Sequence, residues 1–148
     1  MKLKSSLCAI SFCGALLMAG CSSNTGLANY NVNQAMNSMP PEVKAKTDDF
    51  KFYFGPDSTP KGAEKLGEIK TSLRTNAVGK SPEASCNWVF YSALLKLKHA
   101  SELAGGNGVG DIESNWQNNP TADKSTFACD NGLWMSGVAL KGQAIKVK

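Results

Sequence analysis

The side chains that most often carry catalysis are sparse in this 148-residue chain. His99 is the single histidine, so a Ser–His–Asp arrangement would have to use it, yet it lies on the water-facing side of a predicted helix. Asp111 and Glu113 are two residues apart on a predicted strand, so their carboxylates face the same way and could act as an acid–base pair. We interpret them as a solvated face, and the pattern predicts a protein that is not an enzyme.

The cysteines do not form a metal-binding pattern. A tetrahedral zinc site needs four ligands, usually Cys or His at short spacings. Cys86 and Cys129 are far apart in the chain and have no histidine near them in the sequence. We therefore predict no metal, and no other cofactor is indicated.

Gly79-Lys80-Ser81 matches only the end of a phosphate-binding loop. Such a loop starts with a glycine and wraps phosphate with consecutive backbone N–H groups. Here Arg74 occupies the position of the first glycine, and Pro82 removes a backbone donor just after the motif. The segment is better interpreted as a turn that leads into a helix, and we predict no nucleotide site.

Cys21 is the one residue with a clear chemical assignment. Lys2 and Lys4 are followed by an uncharged stretch whose apolar centre is roughly a dozen residues, shorter than the ~20 that a spanning helix needs. The stretch ends in Ala19-Gly20-Cys21, which resembles a bacterial lipobox, except that Met18 stands where Leu is usual. Residues 1–20 are therefore predicted to be a lipoprotein signal peptide, and Cys21 the acylated residue that binds the membrane. An ordinary secretory signal or an uncleaved anchor are the alternatives.

The residue after the acylated cysteine bears on the membrane that receives it. An Asp at that position is the usual inner-membrane retention signal in enteric bacteria, and this chain has Ser22. We predict a lipid-anchored protein of the cell envelope, in the outer membrane and facing the periplasm.

The remaining cysteines are even in number. Cys8 and Cys13 leave with the signal peptide, so the mature domain keeps only Cys86 and Cys129. In an oxidising compartment two such cysteines are expected to pair. They are 43 residues apart, and closing that loop is worth about 4 kcal/mol on the chain-entropy estimate.

The charge excludes one class of partner. The formal net charge of +4 falls to +2 once Lys2 and Lys4 are removed, leaving 14 basic and 12 acidic residues. Lysines are scattered among Asp and Glu instead of forming a basic patch. No nucleic-acid partner is predicted.

The mature chain divides into a polar N-terminal part and a patterned domain. Residues 22–41 carry no charged side chain and are rich in Ser, Asn and Gly. We predict a flexible tether over 21–46, with a reach on the order of 25 Å, although 32–39 could form a short helix. The folded domain is predicted over 47–148.

Alternating apolar residues predict strands near 50–54 and over 67–75, and further strands are expected at 108–116, 125–129 and 133–147. Within the last, Trp134, Val138 and Leu140 are predicted to share a face, with a bulge at Gly142. Ser81-Pro82-Glu83 begins a helix that Gly105-Gly106 ends. The fold class is therefore α+β, a mainly antiparallel sheet of about five strands with one long helix packed on one face.

The predicted helix carries more apolar surface than one sheet can cover. One stripe contains Cys86 and faces the core. A second stripe, rotated from the first, consists of Ala84, Trp88, Tyr91 and Leu95. Either the tether segment covers it, or Trp88, Tyr91 and Leu95 form a surface for a protein partner in the envelope.

Two resemblances accompany these patterns. The run from Leu66 to Val109 resembles the small α+β fold shared by YbjQ-type proteins, labelled heavy-metal binders, and the periplasmic domain of the Rcs stress-sensing lipoprotein. Four segments resemble more closely an uncharacterised family of exported proteobacterial proteins often labelled "excinuclease ATPase subunit". These segments are 51–55, 75–77, 86–88 and 137–142, and the likeness spans about 50–148. That family implies no established activity, and we interpret its label as an artefact.

Together these observations predict a non-enzymatic binding or sensing module held at a membrane. The alternative is a small periplasmic hydrolytic or thiol-redox enzyme.

Overall fold

The computed structural model describes residues 25–148. The predicted signal peptide and Cys21 lie outside this range. The described chain forms a seven-stranded sheet with one long helix packed against it. Within residues 25–148 no helix is both long and apolar enough to cross a membrane.

The N-terminal segment is part of the folded domain, which corrects the predicted flexible tether for residues 25–46. It forms β1 (Gly26–Asn31), α1 (Val32–Asn37) and α2 (Pro41–Lys44). Asn31 caps α1 by accepting a hydrogen bond from the N–H of Gln34 at 2.9 Å, and Pro40-Pro41 begins α2. Four apolar side chains of the segment are buried in the core; they are Val32, Ala35, Met39 and Val43. Few but correctly spaced apolar residues are enough to dock this otherwise polar stretch.

The sheet is mixed, with more strands than the sequence predicts. The other strands are β2 (Lys51–Phe54), β3 (Glu64–Asn76), β4 (Gly108–Trp116), β5 (Asn119–Thr121), β6 (Thr126–Asn131) and β7 (Met135–Lys146). Their order is β1-β6-β7-β4-β2, with β3 on β7 and β5 on β4. β2 pairs with β4 in parallel, so the sheet is not purely antiparallel. β1 and β5 are the strands that the sequence pattern missed.

β7 is the central strand, paired with β3 along its length and with β6 and β4 on its other side. The predicted bulge belongs to β4, where the register shifts between Gly110 and Glu113 opposite Gly142. A Cβ at Gly142 would come within 2.8 Å of Val109, so the close approach explains the glycine. The β6–β7 hairpin is confirmed, but it has only two residue pairs, whereas β6 pairs with β1 along all six of its residues.

The long helix α3 (Pro82–Leu103) follows the predicted boundaries. Ser81 caps it by accepting the N–H of Ala84 at 3.1 Å. At the other end Gly105 adopts a φ of 85°, and the N–H of Gly106 donates to the carbonyl of Ser101. The helix lies between the sheet and the N-terminal segment, because both contribute buried side chains to the cluster around Phe90 and Leu94.

Candidate functional site

The structure corrects the predicted partner surface on α3. Tyr91 is only 4% exposed, and its hydroxyl donates to the carbonyl of Ala35 at 2.7 Å. Leu95 is partly buried against the core. Trp88 is 45% exposed, so it is the one member of the predicted trio that is open to solvent. Coverage by the N-terminal segment, one of the two alternatives for the second stripe, is confirmed for Tyr91, and Trp88 stays accessible.

Trp88 lies in a groove between the start of α3 and the α1–α2 connection. The groove has a volume of about 370 Å³. Its lining residues are Ser38, Pro40, Ser81, Glu83, Ala84, Asn87, Trp88 and Tyr91. We call it the Trp88 groove. It combines an exposed aromatic ring with polar side chains at the edge, the composition that binding hot spots favour.

Glu83 determines the charge of this groove and joins its two walls. Its Oε1 accepts a hydrogen bond from the side-chain amide of Gln34 at 2.6 Å, which links α1 to the first turn of α3. Burial, followed by the charge of Glu83, raises the pKa of Tyr91 above its ordinary value. The phenol therefore stays neutral at physiological pH and remains a donor to Ala35.

The predicted disulfide is confirmed. Cys86 in α3 and Cys129 in β6 are bonded, with their Cα atoms 5.9 Å apart. Neither cysteine has any solvent exposure. Thiol–disulfide exchange requires access to a sulfur atom, so this bond has the environment of a structural disulfide.

Asp111 and Glu113 are not the solvated face that the sequence predicts, because their side chains are only 20% and 15% exposed. Asp111 has a φ of 51° at the β4 bulge, and it lines a small cleft with Glu113 and Lys141. Lys65 contacts Asp111 at 3.2 Å, and Lys141 contacts Glu113 at 3.5 Å. Burial raises the pKa of Asp111, but hydrogen bonds from the backbone N–H of Thr59 and from Lys65 outweigh it and lower the pKa below its ordinary value. A general acid needs a raised pKa, so Asp111 is not suited to that role at neutral pH.

The other candidate motifs have local structural explanations. Lys80 donates to the carbonyl of Asn76 at 2.8 Å, within the turn between β3 and α3. His99 lies exposed on α3. In the range 25–148 no three His, Cys, Asp or Glu side chains gather closely enough to hold a metal ion.

One exposed surface was missed by the sequence analysis. The pattern of the last strand predicts that Trp134 shares a face with Val138 and Leu140. Instead it lies in the turn before β7, where Leu133, Trp134 and Met135 are 71%, 72% and 43% exposed. Val78 is exposed in the adjacent β3–α3 turn, whose Ala77 N–H donates to the carbonyl of Trp134. We call Val78, Leu133, Trp134 and Met135 the apolar end. Three large apolar residues directly after Asp130-Asn131-Gly132 were the available signal.

Comparisons with known proteins leave the function open. No protein-family model matches the chain, and no curated protein matches it. One similar solved structure is the crystal structure of a protein of unknown function from Pediococcus pentosaceus, which belongs to the DUF74 family. It is 14% identical, with a TM-score of 0.45, and the match covers 69% of this chain and 100% of that one.

Proposed function

We propose that this protein is an envelope lipoprotein that is anchored through a lipid on Cys21 and binds a protein partner through the Trp88 groove, without catalysis. The observation that carries the binding role is the exposure of Trp88, 45% open in a groove between two helical walls. Large aromatic side chains provide much of the affinity where proteins associate, because they bury a large area with little loss of rotamer freedom.

The envelope location is supported by two independent features. The N-terminal sequence ends its apolar stretch in Ala19-Gly20-Cys21. The mature domain contains a disulfide, and such bonds persist in the periplasm but are rare in reducing compartments. Placement in the outer membrane rests on Ser22 alone.

The rival proposal, a thiol-redox or hydrolytic enzyme, has less support. The disulfide sulfurs belong to cysteines with no exposure, and Asp111 and Glu113 each have a lysine partner. The non-enzymatic proposal requires only the groove, which needs no reactive group.

The test is in vivo crosslinking of the full chain followed by capture of the crosslinked species. Trp88→Ser should abolish a specific crosslinked species and leave the protein folded, because the indole is half exposed and makes no hydrogen bond within residues 25–148. Leu103→Ser is the matched control, since Leu103 lies on the same helix and is 76% exposed but does not line the groove. A Trp88→Ser protein that keeps every crosslinked species refutes the binding proposal.

The same cells test the anchor. Cys21→Ala should remove palmitate labelling and leave an unprocessed precursor, because the acylated thiol is required before the signal peptidase acts. Processing at the same bond in Cys21→Ala would refute the lipoprotein assignment and leave the groove proposal standing.

A further inference from the structure

The apolar end is built into the fold at one end of the paired strands β3, β7 and β6. The N–H of Gly132 donates to the carbonyl of Met135 at 2.9 Å, and the N–H of Ala77 donates to the carbonyl of Trp134 at 2.9 Å. The first bond closes the β6–β7 turn, and the second joins that turn to the β3–α3 turn. Leu133 and Trp134 are therefore presented to solvent by a hydrogen-bonded backbone, and each is more than two-thirds exposed.

The chain enters the domain at this same end. Gly26, the first residue of β1, pairs with Asn131 of β6, the residue directly before Gly132. Cys21 precedes Gly26 by five residues, which span at most about 17 Å when fully extended. A lipid on Cys21 therefore holds the start of β1, and with it the neighbouring turn, close to the bilayer.

We propose that the apolar end contacts the headgroup region of the bilayer that holds the lipid, and so fixes the orientation of the domain. This inference rests on the proposed anchor at Cys21. Tryptophan is favoured at the membrane–water interface, where its ring is partly apolar and its N–H stays hydrated. Leucine and methionine beside it add apolar area of the kind that interfacial segments bury.

The apolar end is better suited to contact a bilayer than the Trp88 groove is. Leu133, Trp134 and Met135 lie exposed in one turn, and Val78 lies exposed in the neighbouring turn. Lys80 lies exposed in that second turn and places a cation where anionic headgroups would lie. A lipid surface needs no shape complementarity, so a short exposed turn is sufficient.

The test uses the mature full-length protein, purified with its lipid and reconstituted into vesicles of phosphatidylethanolamine with a minor fraction of phosphatidylglycerol. Lipids brominated near the headgroup end of the acyl chains quench tryptophans that contact the interface. Trp134→Phe should remove most of the quenching. Trp88→Phe should keep it, because Trp88 lies in the groove on α3.

Palmitate labelling of the same preparations separates the two proposals. A labelled, vesicle-bound protein whose quenching is the same in Trp134→Phe and wild type overturns the membrane contact and leaves the anchor intact. Absence of the label overturns both. Crosslinks between copies through position 134, with Trp134 shielded from the brominated lipid, would assign the apolar end to a second copy of this chain and overturn the inference.

Discussion

The two sides of α3 are held in different ways. On the sheet side, Cys86 is bonded to Cys129, and Phe90 stacks on Phe127 with ring centroids 4.0 Å apart and an angle of 10° between the planes. On the other side, the N-terminal segment is held by separate polar contacts, from Tyr91 to Ala35 and from Gln34 to Glu83, together with a few buried apolar residues. Trp88 is on this second side, and it is exposed.

The residues of α3 that stabilise the fold and those of the proposed binding groove therefore lie on different sides of the helix. The sheet side is densely packed and covalently closed, so changes there affect the free energy of unfolding of the whole domain. The side covered by the N-terminal segment contains the proposed binding groove, where an exposed side chain can change at little cost to folding. Substitutions on the two sides should therefore have separable effects.

The largest expected effect comes from opening the disulfide on the sheet side. Reduction should lower the midpoint of thermal unfolding by well over about 10 °C, because the bond closes a loop worth about 4 kcal/mol. The measurement is thermal unfolding monitored by circular dichroism. It compares the oxidised protein with protein that has been reduced beforehand under denaturing conditions. Cys86→Ser with Cys129→Ser should reproduce the reduced melt, and the reductant should not change that variant. Identical melts for the oxidised and reduced proteins would refute the stabilising role of the bond.

A smaller effect is expected on the other side, at Tyr91. Tyr91→Phe removes the buried hydrogen bond from the phenol to the carbonyl of Ala35, which keeps only the N–H of Ser38 at 3.1 Å, and this loss should cost about 1 kcal/mol in urea unfolding at neutral pH. Tyr53→Phe is the matched control, since the Tyr53 hydroxyl makes no hydrogen bond within residues 25–148. Equal urea midpoints for Tyr91→Phe and the control would show that the phenol does not hold α1.

The same variant has a signature at alkaline pH. Because burial raises the pKa of Tyr91 in the folded protein above the ordinary 10.0, the stability that it contributes is present below pH 10 and is lost as the pH rises through the folded value. Tyr91→Phe should therefore reduce the loss of stability above pH 10. Burial also raises the pKa of Tyr30, so part of the loss should remain.

The smallest effect concerns the loop that supports the N-terminal segment. Asp123 accepts hydrogen bonds from the backbone and side chain of Ser125, both at 2.7 Å, and from Thr126, which lower the pKa of its carboxyl to about 2. The carbonyl of Ser125 in turn accepts the N–H of Val32 at the start of α1. The stability from Asp123 is present above about pH 4 and is lost as the pH falls through about 2.

Asp123→Asn should therefore melt slightly lower than wild type at neutral pH, and the two melting temperatures should converge in acid. Thermal melts across this acid range provide the measurement. A difference that stays constant down to the lowest pH would mean that the ionised carboxylate is not what stabilises the loop.

The helix, most strands and the disulfide could be predicted because their signals are local. Ser81-Pro82-Glu83 and Gly105-Gly106 mark the two ends of α3, and the strict alternation over 67–75 falls within β3. The pairing of Cys86 with Cys129 follows from counting the cysteines that remain when the predicted signal peptide is left out. Each of these inferences needed only neighbouring residues or a residue count.

The errors concern features that depend on distant contacts. Residues 25–46 have the composition of a linker. They are ordered because some of their apolar side chains pack into the core beside α3 and because β1 pairs with β6. The parallel pairing of β2 with β4 joins strands about 55 residues apart, which no periodicity encodes. Trp134 does not share a strand face with Val138 and Leu140, because β7 begins at Met135, two residues after the predicted start at 133. Exposure on α3 also depends on the distant N-terminal segment, so the sequence could not distinguish the buried Tyr91 from the exposed Trp88.

The register of β1 has a mechanical consequence. Tension on the N-terminal segment enters the domain at Gly26 and, when directed along the strand, loads all six β1–β6 residue pairs in shear at once instead of opening them one by one. Ala28 of β1 pairs with Cys129, and the disulfide passes the load from Cys129 to Cys86, two residues from Trp88. Force applied before Gly26 therefore reaches the helix that lines the Trp88 groove by a route of hydrogen bonds and one covalent link.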